Sequence, residues 1–200
     1  MTQLIEALSY PFVQRAIAAG VMISLCAALL GVILVLKQYS LIGHGLGDVG
    51  FASTSLAVAL GLPVMAVSIP IVVIAACLIM FWSQRSKTGG DTAIGMVATG
   101  ALSIGVIITA MSSGFNVDVN GYMFGSILAM SREDVIFSVV LSIVILVLFV
   151  VFYNRLFLIT FDENFAKASG IRVGFYQFLI ALLTALTVVM GMRMMGILLI

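Results

Sequence analysis

Charge is what this 200-residue chain has least of: nine lysines and arginines, eight aspartates and glutamates, and a single histidine. Charged residues make up 8% of the sequence, against roughly 25% in soluble domains, which excludes an ordinary soluble fold. The formal net charge of +1 offers no basic surface for nucleic acid. Cysteine is nearly absent. Cys26 and Cys77 both fall in apolar stretches and read as small buried residues, not as a disulfide or a metal pair. Also missing are a P-loop, a GxSxG turn, an HExxH helix and a Cys–His set, so nothing here supports soluble-type catalysis. An ATP-driven process would need a separate nucleotide-binding subunit. The N-terminus, MTQLIEALSYPFVQRA, lacks a basic n-region and a short apolar core, so the first span is expected to stay in place.

What is present is hydrophobic: 63% of residues, with a mean hydropathy of +1.30. The charge-free runs 16–36, 92–117, 135–154 and 173–192 each reach the ~20 residues needed to span ~30 Å of hydrocarbon. A longer run, 49–84, is interrupted by Gly61-Leu62-Pro63, a helix stop that divides it into two spans. Pro70 is expected to kink the second of these. The chain therefore reads as an all-α, polytopic integral membrane bundle of about six crossings, one domain over residues 1–200. Span 5 is placed at 135–153 and span 6 at 174–192, while YMFGSILAM is too short to cross and suits a re-entrant or interfacial helix. Lys37, Arg85, Lys87, Arg155, Lys167 and Arg172 fall in alternate connections, against Arg15, Arg132 and Arg193 on the other side. That bias puts the N-terminus outside and the 154–172 loop in the cytoplasm.

His44 and Asp48 are the sharpest polar signal. Their i, i+4 spacing sets an imidazole and a carboxylate on one helical face, a small nitrogen-and-oxygen site for a divalent cation beside apolar spans. A polar helix end at the membrane interface accounts for the same spacing, and both readings stand at this level. Gly43, Gly45, Gly47 and Gly50 lower helix propensity around the pair, as is tolerated where backbone packs closely or lines a wet cavity. In FNVDVNGYMFG, Asn116 and Asp118 could receive a cation at the outer mouth, although turn chemistry explains each residue as well. Met190, Met192, Met194 and Met195 offer soft sulfur, but methionine in apolar helices ordinarily packs. Arg193 among them is expected to snorkel to the outer interface.

The loop ITFDENFAKASGIRVG carries a second signal. Phe161, Phe165 and Ala168 recur at helical spacing, Asp162 and Glu163 sit at the N-terminal end, and Gly170 ends the pattern. This predicts a short amphipathic cytoplasmic helix that docks in a partner's groove. A helix lying on anionic lipid is disfavoured, because Lys167 is its one lysine.

Taken in order, SLIGHGLGDVGFAS, DTAIGMVATGALSIGVI, NVDVNGYMFGSILAMSRED and FDENFAKASGIRV resemble the membrane permease subunit of ABC importers for zinc, manganese or iron. The resemblance covers essentially the whole chain. It implies a homodimeric permease in the inner (cytoplasmic) membrane of a bacterium, not itself an enzyme and with no stably bound cofactor. It further implies cytoplasmic ABC ATPase subunits docked at the loop, and an extracellular lipoprotein or periplasmic protein that delivers the metal. His44 and Asp48 would line the translocation path; Asn116 and Asp118 its outer mouth; Phe161, Asp162, Glu163, Phe165, Ala168 and Gly170 the ATPase-coupling element. The family's usual order in the first motif is Asp then His, which is exchanged here; Ser126 stands where some members carry a carboxylate. The family also continues past VVMGMRMMGILLI, so a C-terminal truncation is expected. Other classes remain on the sequence alone: a membrane-embedded metalloenzyme built on His44 and Asp48, short of ligands for catalytic zinc, or a non-energised channel or scaffold. The amphipathic loop discriminates, since only a driven permease needs it.

Overall fold

The computed structural model describes residues 10–85, 90–111 and 132–196. These residues form helices α1 (Pro11–Leu36), α2 (Ile42–Ala59), α3 (Val64–Arg85), α4 (Gly90–Met111), α5 (Arg132–Phe161), the short α6 (Glu163–Ala168) and α7 (Val173–Met195). No strand occurs among the described residues. Asn116, Asp118 and the YMFGSILAM segment lie outside them.

Five helices are long and apolar enough to cross a bilayer: α1, α3, α4, α5 and α7. The expected sixth crossing is α2, whose 18 residues measure about 27 Å at 1.5 Å per residue. It is less apolar than the rest because it carries His44, Asp48, Ser53, Thr54 and Ser55. Its neighbours compensate. It packs most extensively on α4, next on α3 and then on α7, and Asp48, Ser53, Thr54 and Ser55 are all buried. α7 is the most enclosed of the five apolar helices, with 67% of its most apolar window buried against at most 33% for the others. The outward faces of α3 and α5, including Ile74, Leu78, Val147, Val150 and Val151, stay exposed, as lipid-facing surface must be.

Turns between crossings follow one pattern. At the end of α2, Gly61 takes φ 65°, the Gly61 amide donates to the Val58 carbonyl and the Leu62 amide to the Ala57 carbonyl. This is the paired cap by which a left-handed residue satisfies a helix's last carbonyls, and it confirms the Gly61-Leu62-Pro63 stop. The same pairing closes α1, but there Gln38 occupies the left-handed position at φ 60°. Pro70 sits inside α3 on its exposed side, and the helix continues on both sides of it. The span 5 expectation falls short: α5 continues past Tyr153 to Phe161, because Arg155 interrupts the charge-free run but not the helix. At 30 residues, or about 45 Å, it is longer than the ~30 Å thickness of the hydrocarbon.

Hydroxyls and a missing side chain draw α2 and α4 together. Thr109 Oγ1 lies 3.1 Å from Ser55 Oγ and donates to the Gly105 carbonyl at 2.8 Å; on the other flank Ser53 Oγ lies 3.0 Å from Ser68 Oγ of α3. A β-carbon on Gly105 would meet Phe51 Cδ1 at 2.7 Å and the Ala52 Cα at 3.0 Å, so only glycine permits this approach. Gly20 of α1 faces open space. Gly105→Ala is therefore expected to lower the melting temperature in detergent by an overpacking cost of about 1–3 kcal/mol. Gly20→Ala should leave it unchanged or raise it, since alanine is the better helix former. Equal effects of the two would refute the close-packing account.

Candidate functional site

The α1–α2 connection is short, and α2 begins without a capping side chain of its own. Asp91 in the first turn of α4 supplies the acceptor: the Leu41 amide donates to Asp91 Oδ1 at 3.1 Å. That bond fixes the start of α2, three residues before His44. Glycine then lets neighbours close in. The Ile94 side chain lies where a β-carbon of Gly45 would be, and the Met192 side chain where one of Gly50 would be.

On this helix His44 Nε2 and Asp48 Oδ2 lie 3.8 Å apart. That is too long for a hydrogen bond. Two donors each about 2.1 Å from a single ion can stand at most about 4.2 Å apart, so one cation can touch both at a wide angle. The environments differ: the His44 side chain is 69% exposed and the Asp48 side chain 11%. Asp48 is thus sheltered within the helix bundle, while His44 faces outward from the described chain. Among the described residues no group of three His, Cys, Asp or Glu side chains converges, so the pair is an incomplete ligand set on its own. The methionines near 190–195 pack: Met190, Met192 and Met194 are buried in apolar clusters.

The loop after α5 is built by explicit capping. Asp162 breaks from α5 in extended backbone, and its Oδ1 accepts from the Phe165 amide at 2.9 Å, the N-cap of α6. Glu163 and Lys167 pair one turn apart at 2.7 Å. Gly170 at φ 76° closes the helix, its amide donating to the Lys167 carbonyl and the Ile171 amide to the Ala166 carbonyl. Ala166 is fully buried against Ile159 and Val173, while Phe165 and Ala168 are exposed. Phe161 corrects the sequence reading: it is the last residue of α5, its ring centroid 4.4 Å from that of Phe157, so it lies outside the short helix that Phe165 and Ala168 share. The break at Asp162 ends the helical spacing that joined them. Phe161 remains 63% exposed beside the loop, so an apolar surface is presented by two elements rather than one face.

Two partners of this loop were not visible in the sequence. Gln177 of α7 donates from Nε2 to Glu163 Oε2 at 3.1 Å. Lys37, the C-cap of α1, is pushed below the ordinary lysine range by burial, an effect opposed by Glu163 and reinforced by Lys167. The end of α1 therefore lies within electrostatic reach of α6. A lone amide in an apolar run was the available signal for Gln177. No local pattern marks Asp91.

Asp162→Ala should remove the cap at a cost of about 1 kcal/mol and raise exchange at the Phe165 amide roughly fivefold by hydrogen–deuterium exchange, with α5 and α7 unaffected. Unchanged protection at Phe165 would mean the cap contributes nothing.

This arrangement has known relatives. The model of the ABC 3 transport family matches residues 9–200. The manganese transport system membrane protein MntC of Halalkalibacterium halodurans is 29% identical over 195 residues, covering 98% of this chain and 67% of that protein. The manganese transport system membrane protein MntB of Synechocystis is 30% identical over 198 residues, covering 98% and 64%. Among solved structures, PsaBC from Streptococcus pneumoniae in complex with Fab superposes with a TM-score of 0.82 at 29% identity, over 99% of this chain and 72% of that one. The chain thus spans about two thirds of the length of the curated relatives it matches.

Proposed function

The chain belongs to the ABC 3 transport family, and from that premise we propose that it is the permease subunit of an ATP-driven importer for a divalent transition metal, manganese foremost. The observation that carries this reading is the His44–Asp48 pair on α2, the least apolar of the long described helices. A carboxylate held among apolar helices is costly and marks an ion path. The nitrogen-and-oxygen ligands suit manganese, zinc or iron; the manganese relatives favour the first. The reversed His-then-Asp order keeps the same two ligands on one face.

One protomer supplies two ligands. A second copy related by a two-fold axis along which the exposed His44 imidazoles face each other would bring two imidazoles and two carboxylates around a common passage. Four such ligands hold a divalent ion, and the carboxylates offset its charge at low dielectric. Release needs only transient binding, which an open, wide-angled pair favours over a closed cage. At the cytoplasmic end, α6 with its exposed Phe165 and Ala168, and Phe161 beside it, would seat in a groove of the ATPase. An extracellular binding protein would deliver the metal to the far side, where Asn116 and Asp118 are proposed to receive it. The lysine and arginine distribution supports an inner-membrane orientation with the N-terminus outside. A metalloenzyme or an unpowered channel has no use for the capped, aromatic-bearing α6.

Metal uptake in cells or vesicles carrying the whole importer tests the path. Asp48→Asn removes a charge with little change of shape, and His44→Ala removes the imidazole; each is expected to cut manganese uptake at least tenfold with expression unchanged. Wild-type uptake in both would reduce the pair to a polar helix end. Phe165→Asp should abolish co-purification of the ATPase while membrane insertion persists, and retained co-purification would refute the docking role. Topology is checked by placing single cysteines at Leu62 and Ser169 in a background lacking Cys26 and Cys77: external reagent should reach the first and not the second.

A further inference from the structure

Gln177 is the only amide side chain between 173 and 192, and it is 7% exposed. Burying an unpaired amide is costly, so its partner matters. That partner is Glu163 on α6, at 3.1 Å. The Glu163 carboxylate is divided: Oε1 holds Lys167 of the same short helix at 2.7 Å, and Oε2 takes the Gln177 amide from α7. Beyond the field that Lys37 of α1 shares with Glu163 and Lys167, the other contacts of α6 described above are apolar, through Ala166 on Ile159 and Val173. Apolar contacts have no preferred direction and allow sliding; a hydrogen bond to a carboxylate does not.

α7 carries this attachment inward. Its 23 residues extend about 35 Å and pack on α3, α1, α2 and α5. Toward its far end the Met192 side chain seats against Gly50 of α2, two residues beyond Asp48. We propose that Gln177 is a positioning residue whose bond to Glu163 clamps α6 to α7, so that displacement of α6 is delivered through α7 and the Met192–Gly50 seat to the helix bearing His44 and Asp48. The inference rests on the reading of α6 as the ATPase-docking element. It adds the link between docking and the metal pair, which are carried by different helices with no shared side chain.

The test is the number of manganese ions taken up per ATP hydrolysed by the complete importer in proteoliposomes. Gln177→Leu keeps bulk and removes the donor; ATPase co-purification and hydrolysis should stay near wild type while uptake per ATP falls about tenfold. The exchanged pair Glu163→Gln with Gln177→Glu rebuilds the hydrogen bond in reverse and should recover most of the coupling, which restored stability alone would not explain. If the Gln177→Leu permease itself fails to fold and insert in the membrane, Gln177→Asn, whose amide falls one methylene short of Glu163, takes its place under the same criterion. Wild-type coupling in the single variant, or no recovery in an assembled exchange variant, overturns the proposal. Lost co-purification in Gln177→Leu would also overturn it, by placing Gln177 in the docking surface. The docking reading fails on a different result, retained co-purification in Phe165→Asp.

Discussion

A bilayer offers no water to buried polar groups, and α2 is the element on which that constraint bears hardest. Packed among the apolar helices, it carries a carboxylate, an imidazole and three neighbouring hydroxyl residues. The fold answers by placing other helices around it. α3, α4 and α7 enclose Asp48, Ser53, Thr54 and Ser55, and the hydroxyls of Ser68 and Thr109 reach across to meet them. Glycine makes the enclosure close: with side chains at Gly45, Gly50 or Gly105, Ile94, Met192 and Phe51 could not sit where they do. Polarity inside and small residues at the contacts are two sides of one requirement.

The ends of the helices are closed by the same few devices. Left-handed residues at Gln38, Gly61 and Gly170 satisfy the last carbonyls of α1, α2 and α6, while Asp91 accepts from the N-cap amide of α2 and Asp162 from the Phe165 amide in the first turn of α6. Two of those three left-handed positions are glycine; Gln38 accepts a conformation that side chains disfavour, at the turn that leads directly to the His44 helix. The described turns around Gln38 and Gly170 are short and hydrogen-bonded, with Lys37 in the field of Glu163 and Lys167.

Much of this was legible in sequence because its causes are local. Charge-free runs located the apolar helices, Gly61-Leu62-Pro63 located the break between α2 and α3, and the Asp162-to-Gly170 pattern located α6 with both of its caps. The errors have a common origin in non-local or mixed signals. Arg155 ends a charge-free run without ending a helix, so α5 runs on to Phe161. Helical spacing linked Phe161 to Phe165, but periodicity is blind to the extended backbone at Asp162. The pair at His44 and Asp48 was visible as a spacing; the unequal burial of its two members follows from how α3, α4 and α7 pack, and no spacing contains that. Gln177 and Asp91 gained their meaning from partners 14 and 50 residues away.

Transport, on this account, depends on His44 and Asp48 jointly binding the metal. The most direct measurement is pulsed electron paramagnetic resonance on the complete permease in nanodiscs loaded with manganese(II). The expected result is nitrogen hyperfine coupling from imidazole in the wild-type protein, lost in His44→Ala, together with weakened manganese affinity in Asp48→Asn. Bound manganese showing no nitrogen coupling, or coupling that persists in His44→Ala, would contradict it.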